Sequence, residues 1–237
     1  MKFLNALPLV VSLAPTAPPA RVATAAPANQ HWYFWGSALF LVSVPVFFQA
    51  PLVREWPHLS LALSALWFWL GDRLYRNPQR QIWGDLLLGF GWSWLAGSLY
   101  WGWLRWEPLL HLPVEAIGLP IALWGLRSGW GRIGHWFYLG SLLGTCITDG
   151  YFYLIDVIPH WRRIMLATPT EVPSIFQEAL LHLRTPWGVT WAIALALLLL
   201  AIARLPQSRS DLHRWTFSGT IVGTLLVDAL FGLAASL

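Results

Sequence analysis

Charge is what this chain has least of. Only 11% of its 237 residues are Asp, Glu, Lys or Arg, and Lys2 is the only lysine. A soluble domain carries about 25% charge. So few charges cannot solvate a globule of this size, although they suit a helical bundle facing lipid. Cysteine is nearly absent too. Cys146 stands alone, which excludes an intrachain disulfide and any cysteine metal cluster. The chain has no phosphate-cradling glycine loop, no G-x-S-x-G and no H-E-x-x-H spacing. The named hydrolase, nucleotide-binding and metalloprotease signatures are therefore missing, and no metal is expected.

What is present is apolar. Hydrophobic residues make up 57% of the chain and mean hydropathy is +0.54. Eighteen tryptophans are the outstanding excess. Tryptophan favours the headgroup level of a bilayer, so aromatic belts are the plain reading. Stacking surfaces for a flat pigment or a lipid are the sharper one. The net charge of +4 rests on arginines near helix ends, which sets orientation rather than nucleic-acid binding.

Residues 1–30 are rich in Pro and Ala and read as a disordered tail. Met1 to Ala14 loosely resembles a secretory signal, but Pro8 interrupts the apolar run, so no cleavage is expected. Residues 31–237 read as a single all-α, polytopic transmembrane domain. About 20 apolar residues cross the hydrocarbon. Seven such spans are expected: Trp32–Ala50 with a kink at Pro45, His58–Leu74, Ile82–Leu104, Pro113–Leu126, Ile133–Ile158, Trp187–Ala203 and Trp215–Ala235. The fourth is short, and the fifth is long enough to tilt or project. Of the basic residues, ten fall on the side of the N-terminal tail and five on the other. That bias puts the N-terminus in the cytoplasm and the C-terminus on the far side. Between spans five and six, Ile175, Ala179, Leu180 and Leu183 share a helical face, which predicts a short amphipathic surface helix.

Three runs carry a resemblance: SVPVFFQAPLVR (Ser43–Arg54), WGDLLLGFGWSWLAGSLYWGWLRWEPLLHLPVEAIGLP (Trp83–Pro120) and FYLGSLLGTCITDGYFYLIDVIPHW (Phe137–Trp161). They resemble an uncharacterised cyanobacterial family of integral membrane proteins, domain of unknown function 3120. The resemblance covers nearly everything after the tail. It implies a cyanobacterial host and a thylakoid or plasma membrane, and it implies no activity.

One internal repeat organises the candidate site. Trp136, Gly140, Gly144, Thr145, Asp149 and Phe152 recur 79 residues later as Trp215, Gly219, Gly223, Thr224, Asp228 and Phe231. The same offset pairs Arg105 with Arg184. A duplicated two-helix hairpin would produce this, as would chance among common membrane residues. Gly140 with Gly144, and Gly219 with Gly223, each share a helix face where a small surface lets backbones approach.

An ionised carboxylate in mid-membrane costs at least about 2.5 kcal/mol. Asp149 and Asp228 therefore need protonation, a basic partner or water. At 1.5 Å per residue, Asp149 lies about 24 Å along its helix, in the far-side half. The same half holds Arg105, Glu107, His111, Glu115, Tyr153, Asp156 and His160. A polar pocket open to the far side is expected there, with Arg105 and His160 as the candidate cations. Asp85 is expected at the N-terminus of its own helix, favouring the dipole. His135, near the cytoplasmic end of span five, reads as an amphipathic interfacial residue or as an axial haem or pigment ligand. Cys146, inside a span, reads as a small packing residue.

Three functions fit these residues. The first is an accessory, scaffold, pigment- or lipid-handling protein, with membrane proteins as further partners. The second is a proton- or cation-coupled transporter using the Asp pair. The third is a membrane enzyme acting on an isoprenoid or lipid with a carboxyl as general acid.

Overall fold

The computed structural model describes residues 29–204 and 208–236. The tail expected over residues 1–30 lies almost wholly outside the described residues. Ten α-helices follow: α1 (Gln30–Glu55), α2 (Pro57–Tyr75), α3 (Gln81–Leu99), α4 (His111–Glu115), α5 (Leu119–Ser128), α6 (Arg132–Leu154), α7 (Ile158–Leu166), α8 (Val172–Leu183), α9 (Pro186–Ala203) and α10 (Leu212–Ser236). No strand occurs among the described residues, in keeping with the all-α expectation.

Four helices run the same way side by side. Phe34 stacks on Trp83 and Gln49 bonds Trp94 and Ser98, so α1 parallels α3. Asp85 meets Gly134 and Phe90 meets Phe137, so α3 parallels α6. Gly140 lies against Thr220 and Gly144 against Thr224, so α6 parallels α10. Gly219 lies against Trp35, Gly223 against Leu39, and Phe47 against Phe231, so α10 parallels α1. Call the end where these helices begin the near end and the other the far end. Helix α2, the α4–α5 segment and α9 run back. This is shown by the pairs Ser60–Ser98, Gly118–Tyr138 and Tyr151–Gly188. Phe34, Ala38, Leu86, Phe90, Trp94 and Phe137 fill the centre.

The repeated glycines do not repeat their surroundings. Gly140 and Gly144 face α10, whereas Gly219 and Gly223 face α1. A Cβ on Gly219 would stand 2.2 Å from the Trp35 carbonyl oxygen. Thr216, Thr220 and Thr224 on α10 each bond the carbonyl four residues back, which keeps their hydroxyls satisfied without water.

Among the described residues, four segments are long and apolar enough to cross a membrane: α1, Pro108–Ser128, α9 and α10. Helices α6 and α7 make a fifth if the bent pair counts as one span. The expected seven crossings are thus not established by length and apolarity. Helices α2 and α3 have 19 residues each but carry Asp72, Arg73 and Asp85 among their apolar residues. The chain is compatible with an integral membrane protein. Exposed tryptophans also cluster at helix ends, with Trp32, Trp83 and Trp124 near one end and Trp56, Trp106 and Trp187 near the other.

Several expectations need correction. Helix α6, which holds the expected fifth span, does not run on to Ile158. It stops at Leu154 and the chain turns by 100° into α7, with Asp156 in the left-handed region at φ 58°. Pro159 sits in the first turn of α7, where a missing N–H costs nothing, so the bend is terminal rather than a tilt. The fourth segment is longer than expected but broken, with 3₁₀ turns at Pro108–Leu110 and Ala116–Gly118. Cys146 is exposed on the surface of α6 rather than packed. Asp85 does not serve its own helix. Its Oδ2 accepts the Ile133 amide at 2.9 Å and so caps α6, whose N-cap residue Gly131 has no side chain to offer. The surface helix appears as α8, with Ile175 and Ala179 buried and Leu180 and Leu183 half-buried.

The close approach of α10 to α1 gives a direct test. Gly219→Leu is expected to cost about 1–3 kcal/mol through forced separation of α1 and α10. Thermal unfolding of the detergent-solubilised protein should show a clear drop in Tm, while Gly232→Leu, where a Cβ would meet nothing within 4 Å, should show little change.

Candidate functional site

The far end gathers a polar cluster inside an aromatic wall. Helix α3 ends in a π turn, Tyr100–Leu104, whose extra residue per turn rotates Tyr100 and Trp101 toward the segment that follows. Pro108 and Pro113 then start and shape the short α4, which carries His111 and Glu115 one turn apart on one face. Helix α6 brings Asp149 to the same place from the other side, and α7 crosses above with Trp161.

The three ionisable groups meet at His111. Its Nδ1 lies 3.0 Å from Asp149 Oδ1 and 2.9 Å from Oδ2, so both carboxylate oxygens share one ring nitrogen. On the opposite edge of the ring, Nε2 lies 3.9 Å from Glu115 Oε1. All three residues are buried, with Asp149 only 3% exposed. Tyr100, fully buried, lies over the ring at 4.2 Å between centroids. Trp101 and Trp161 stack on each other within 5° of parallel, and each ring centre is 5.6 Å from that of His111. Trp161 is pinned by donating its Nε1–H to the Arg105 carbonyl at 3.0 Å. An imidazolium surrounded by aromatic rings gains their attraction as well as that of the carboxylates.

This arrangement is a charge-neutralising unit. One imidazole and two carboxyls sum to zero net charge when they hold two protons between them. Removing or adding a proton leaves an unbalanced charge in apolar surroundings, which is expensive.

The structure sorts the residues singled out in the sequence. Asp149 and Glu115 come together at His111. Asp228 does not join them: its Oδ2 accepts the Thr148 hydroxyl at 2.7 Å, one residue round α6 from Asp149. Arg105, one candidate cation, directs its guanidinium at the Trp101 carbonyl at 3.5 Å. Glu107 lies at the surface, accepting the Leu109 amide at 3.2 Å and the Arg162 guanidinium at 2.8 Å. Those two donors hold its carboxyl below the usual range. Tyr153 and Asp156 are exposed. His160, the other candidate cation, faces His182 at 4.9 Å and Glu178 at 3.9 Å, on the α7–α8 side. The cation the sequence reading passed over is His111. Its signal was there: a histidine four residues before a glutamate, with a proline between them, in the half that holds Asp149. Among the described residues, no group of three or more His, Cys, Asp or Glu side chains has the geometry to hold a metal ion.

An all-helical bundle, compatible with an integral membrane protein and carrying a buried histidine–carboxylate unit at its far end, is the class these observations define. The family model of a protein of unknown function, DUF3120, matches residues 38–236, and the chain belongs to that family. No curated protein and no solved structure matches it.

The His111–Asp149 contact sets a double-mutant cycle. His111→Leu alone leaves a buried carboxyl without its partner and should cost about 3–5 kcal/mol. The double variant His111→Leu/Asp149→Leu should recover most of that loss. Chemical denaturation of all four species checks both statements.

Proposed function

We propose that this chain is a seven-span membrane carrier that couples proton exchange at His111, Asp149 and Glu115 to the passage of a small solute. The observation that carries this is the bifurcated contact of one imidazole nitrogen with both Asp149 oxygens, buried and flanked by a second carboxyl. In a bilayer such groups are costly and mark ion or proton pathways. The broken Pro108–Ser128 segment supports the reading, because irregular backbone in a membrane is tolerated where it lines a polar or protein-filled site. The proposed orientation has the near end in the cytoplasm, following the arginine bias. The histidine–carboxylate unit then faces the far side of a thylakoid or plasma membrane in a cyanobacterial host.

A second reading is favoured by a separate observation. Leu99, Trp103, Leu104, Pro113, Val114 and Ile117 line an apolar cleft of about 350 Å³ beside the unit. A lipid or pigment tail fits that chemistry, which suits an accessory, lipid-handling role among membrane-protein partners. A hydrolytic or transfer enzyme on an isoprenoid would use the same cleft, with Glu115 as the acid.

The carrier reading is tested in proteoliposomes holding a pH gradient and an internal pH dye. A panel of amines, metal cations and organic acids is added outside. At least one solute should dissipate the gradient in a protein-dependent way. Asp149→Asn and His111→Gln should abolish that response, whereas Asp156→Asn, on the exposed surface, should keep it. No responding solute, or an unchanged response in Asp149→Asn, contradicts the proposal.

A further inference from the structure

The two ends of the bundle carry charge differently, and the difference is independent of the histidine–carboxylate unit and of the carrier reading. Among the described residues the near end presents eight arginines, all exposed: three at the turn between α2 and α3, two at that between α5 and α6, and three at that between α9 and α10. Three acids stand against them. Asp85 is buried and accepts the Ile133 amide, while Asp72 and Asp211 each pair with one arginine, Arg76 and Arg214. The far end is balanced. Outside the buried unit and the Thr148–Asp228 bond, five arginines there stand against five acids, and Arg162 and Arg163 are paired with Glu107 and Glu178. A surplus of positive charge on one surface repels itself and attracts anions.

The near-end surplus is backed by a tier of exposed tryptophan. On α2, Trp69 comes one turn before Arg73, and on α5, Trp124 comes one turn before Arg127. Both helices run toward the near end. On α3, which runs away from it, the order reverses, and Arg80 comes one turn before Trp83. Opposite orders on oppositely directed helices give one geometry. On all three, the tryptophan lies about 5 Å deeper than its arginine. These tryptophans are 54%, 38% and 63% exposed in chain order, and the Arg73 guanidinium lies 5.1 Å from the centre of the Trp69 ring. Tryptophan settles at the boundary between headgroup and chain, while an arginine stem follows apolar surface and sends its guanidinium outward. One turn beyond the tryptophan is phosphate depth, and guanidinium matches phosphate with paired N–H donors. An acidic protein segment would meet the arginines but leave the tryptophans below them without a role.

We propose that the near end binds anionic phospholipid, with the phosphates held by Arg73, Arg80 and Arg127 and the tryptophans at glycerol level. Electron spin resonance of the full-length protein in phosphatidylcholine vesicles tests this, with chain-labelled phosphatidylglycerol and chain-labelled phosphatidylcholine as the two probes. Phosphatidylglycerol should show the larger motionally restricted fraction, with about fivefold preference at a site touching one arginine. The preference should fade at about 1 M salt, where charge is screened within about 3 Å. The triple variant Arg73→Gln/Arg80→Gln/Arg127→Gln should lose most of it, whereas Arg162→Gln/Arg163→Gln at the far end should keep it. An unchanged restricted fraction of labelled phosphatidylcholine checks that each variant is folded and inserted. Equal restriction of the two lipids, or a preference undiminished by salt or by the triple variant, overturns the proposal. Equal restriction together with a decaglutamate peptide that sediments with the protein-bearing vesicles would assign this surface to an acidic protein segment instead.

Discussion

A charge inside a low-dielectric bundle must be neutralised, and the contact between His111 and Asp149 is where this chain meets that demand. Two carboxylate oxygens on one ring nitrogen, at 2.9 and 3.0 Å, leave little freedom for either side chain. The surrounding chain is shaped to make that contact. The π turn at Tyr100–Leu104 sets Tyr100 over the ring, the 3₁₀ turns at Pro108–Leu110 and Ala116–Gly118 break the fourth segment so that His111 and Glu115 present together, and the bend after Leu154 swings Trp161 across the top. Each is a departure from regular helix, and the three converge on one imidazole.

The regular part of the bundle answers to a different force. Helices in lipid gain little from hydrophobic burial against each other, and this bundle has the close backbone approach and satisfied hydroxyls that such packing uses. Gly219 against Trp35 and Gly89 against Gly134 bring backbones into near contact, and the threonines of α10 bond inward along their own helix. Rigid parallel packing of α1, α3, α6 and α10 then fixes Asp149 at a set height relative to α4.

Much of this was legible from residues alone. Sparse charge, long apolar runs and end-placed tryptophans gave the helical membrane character, and segment boundaries such as Trp187–Ala203 fell within a residue of α9. Asp149 stood out because a lone acid in an apolar run is costly wherever it lies. Its partner was not legible. Arg105 and His160 looked like better cations, yet Arg105 turns to a backbone carbonyl and His160 to Glu178. Choosing between three cations needs the breaks at Pro108–Leu110 and Ala116–Gly118, and helical periodicity describes unbroken rods only. The repeat misled in the same way: Asp149 and Asp228 match by spacing, but α4 reaches only the first. Likewise Asp85 looked local, while its bond to Ile133 crosses to another helix because the Gly129–Gly131 loop brings that helix start within reach.

The bond between His111 Nδ1 and the Asp149 carboxyl is the contact on which the far-end unit depends. Solid-state NMR of the protein in lipid bilayers, with histidine labelled by ¹⁵N and His111 assigned through His111→Gln, reads that bond directly. Such a bond predicts a His111 Nδ1 resonance shifted by a hydrogen bond to a carboxylate, displaced in Asp149→Asn and little changed in Asp228→Asn. A His111 signal of an ordinary free imidazole, indifferent to Asp149→Asn, would contradict it.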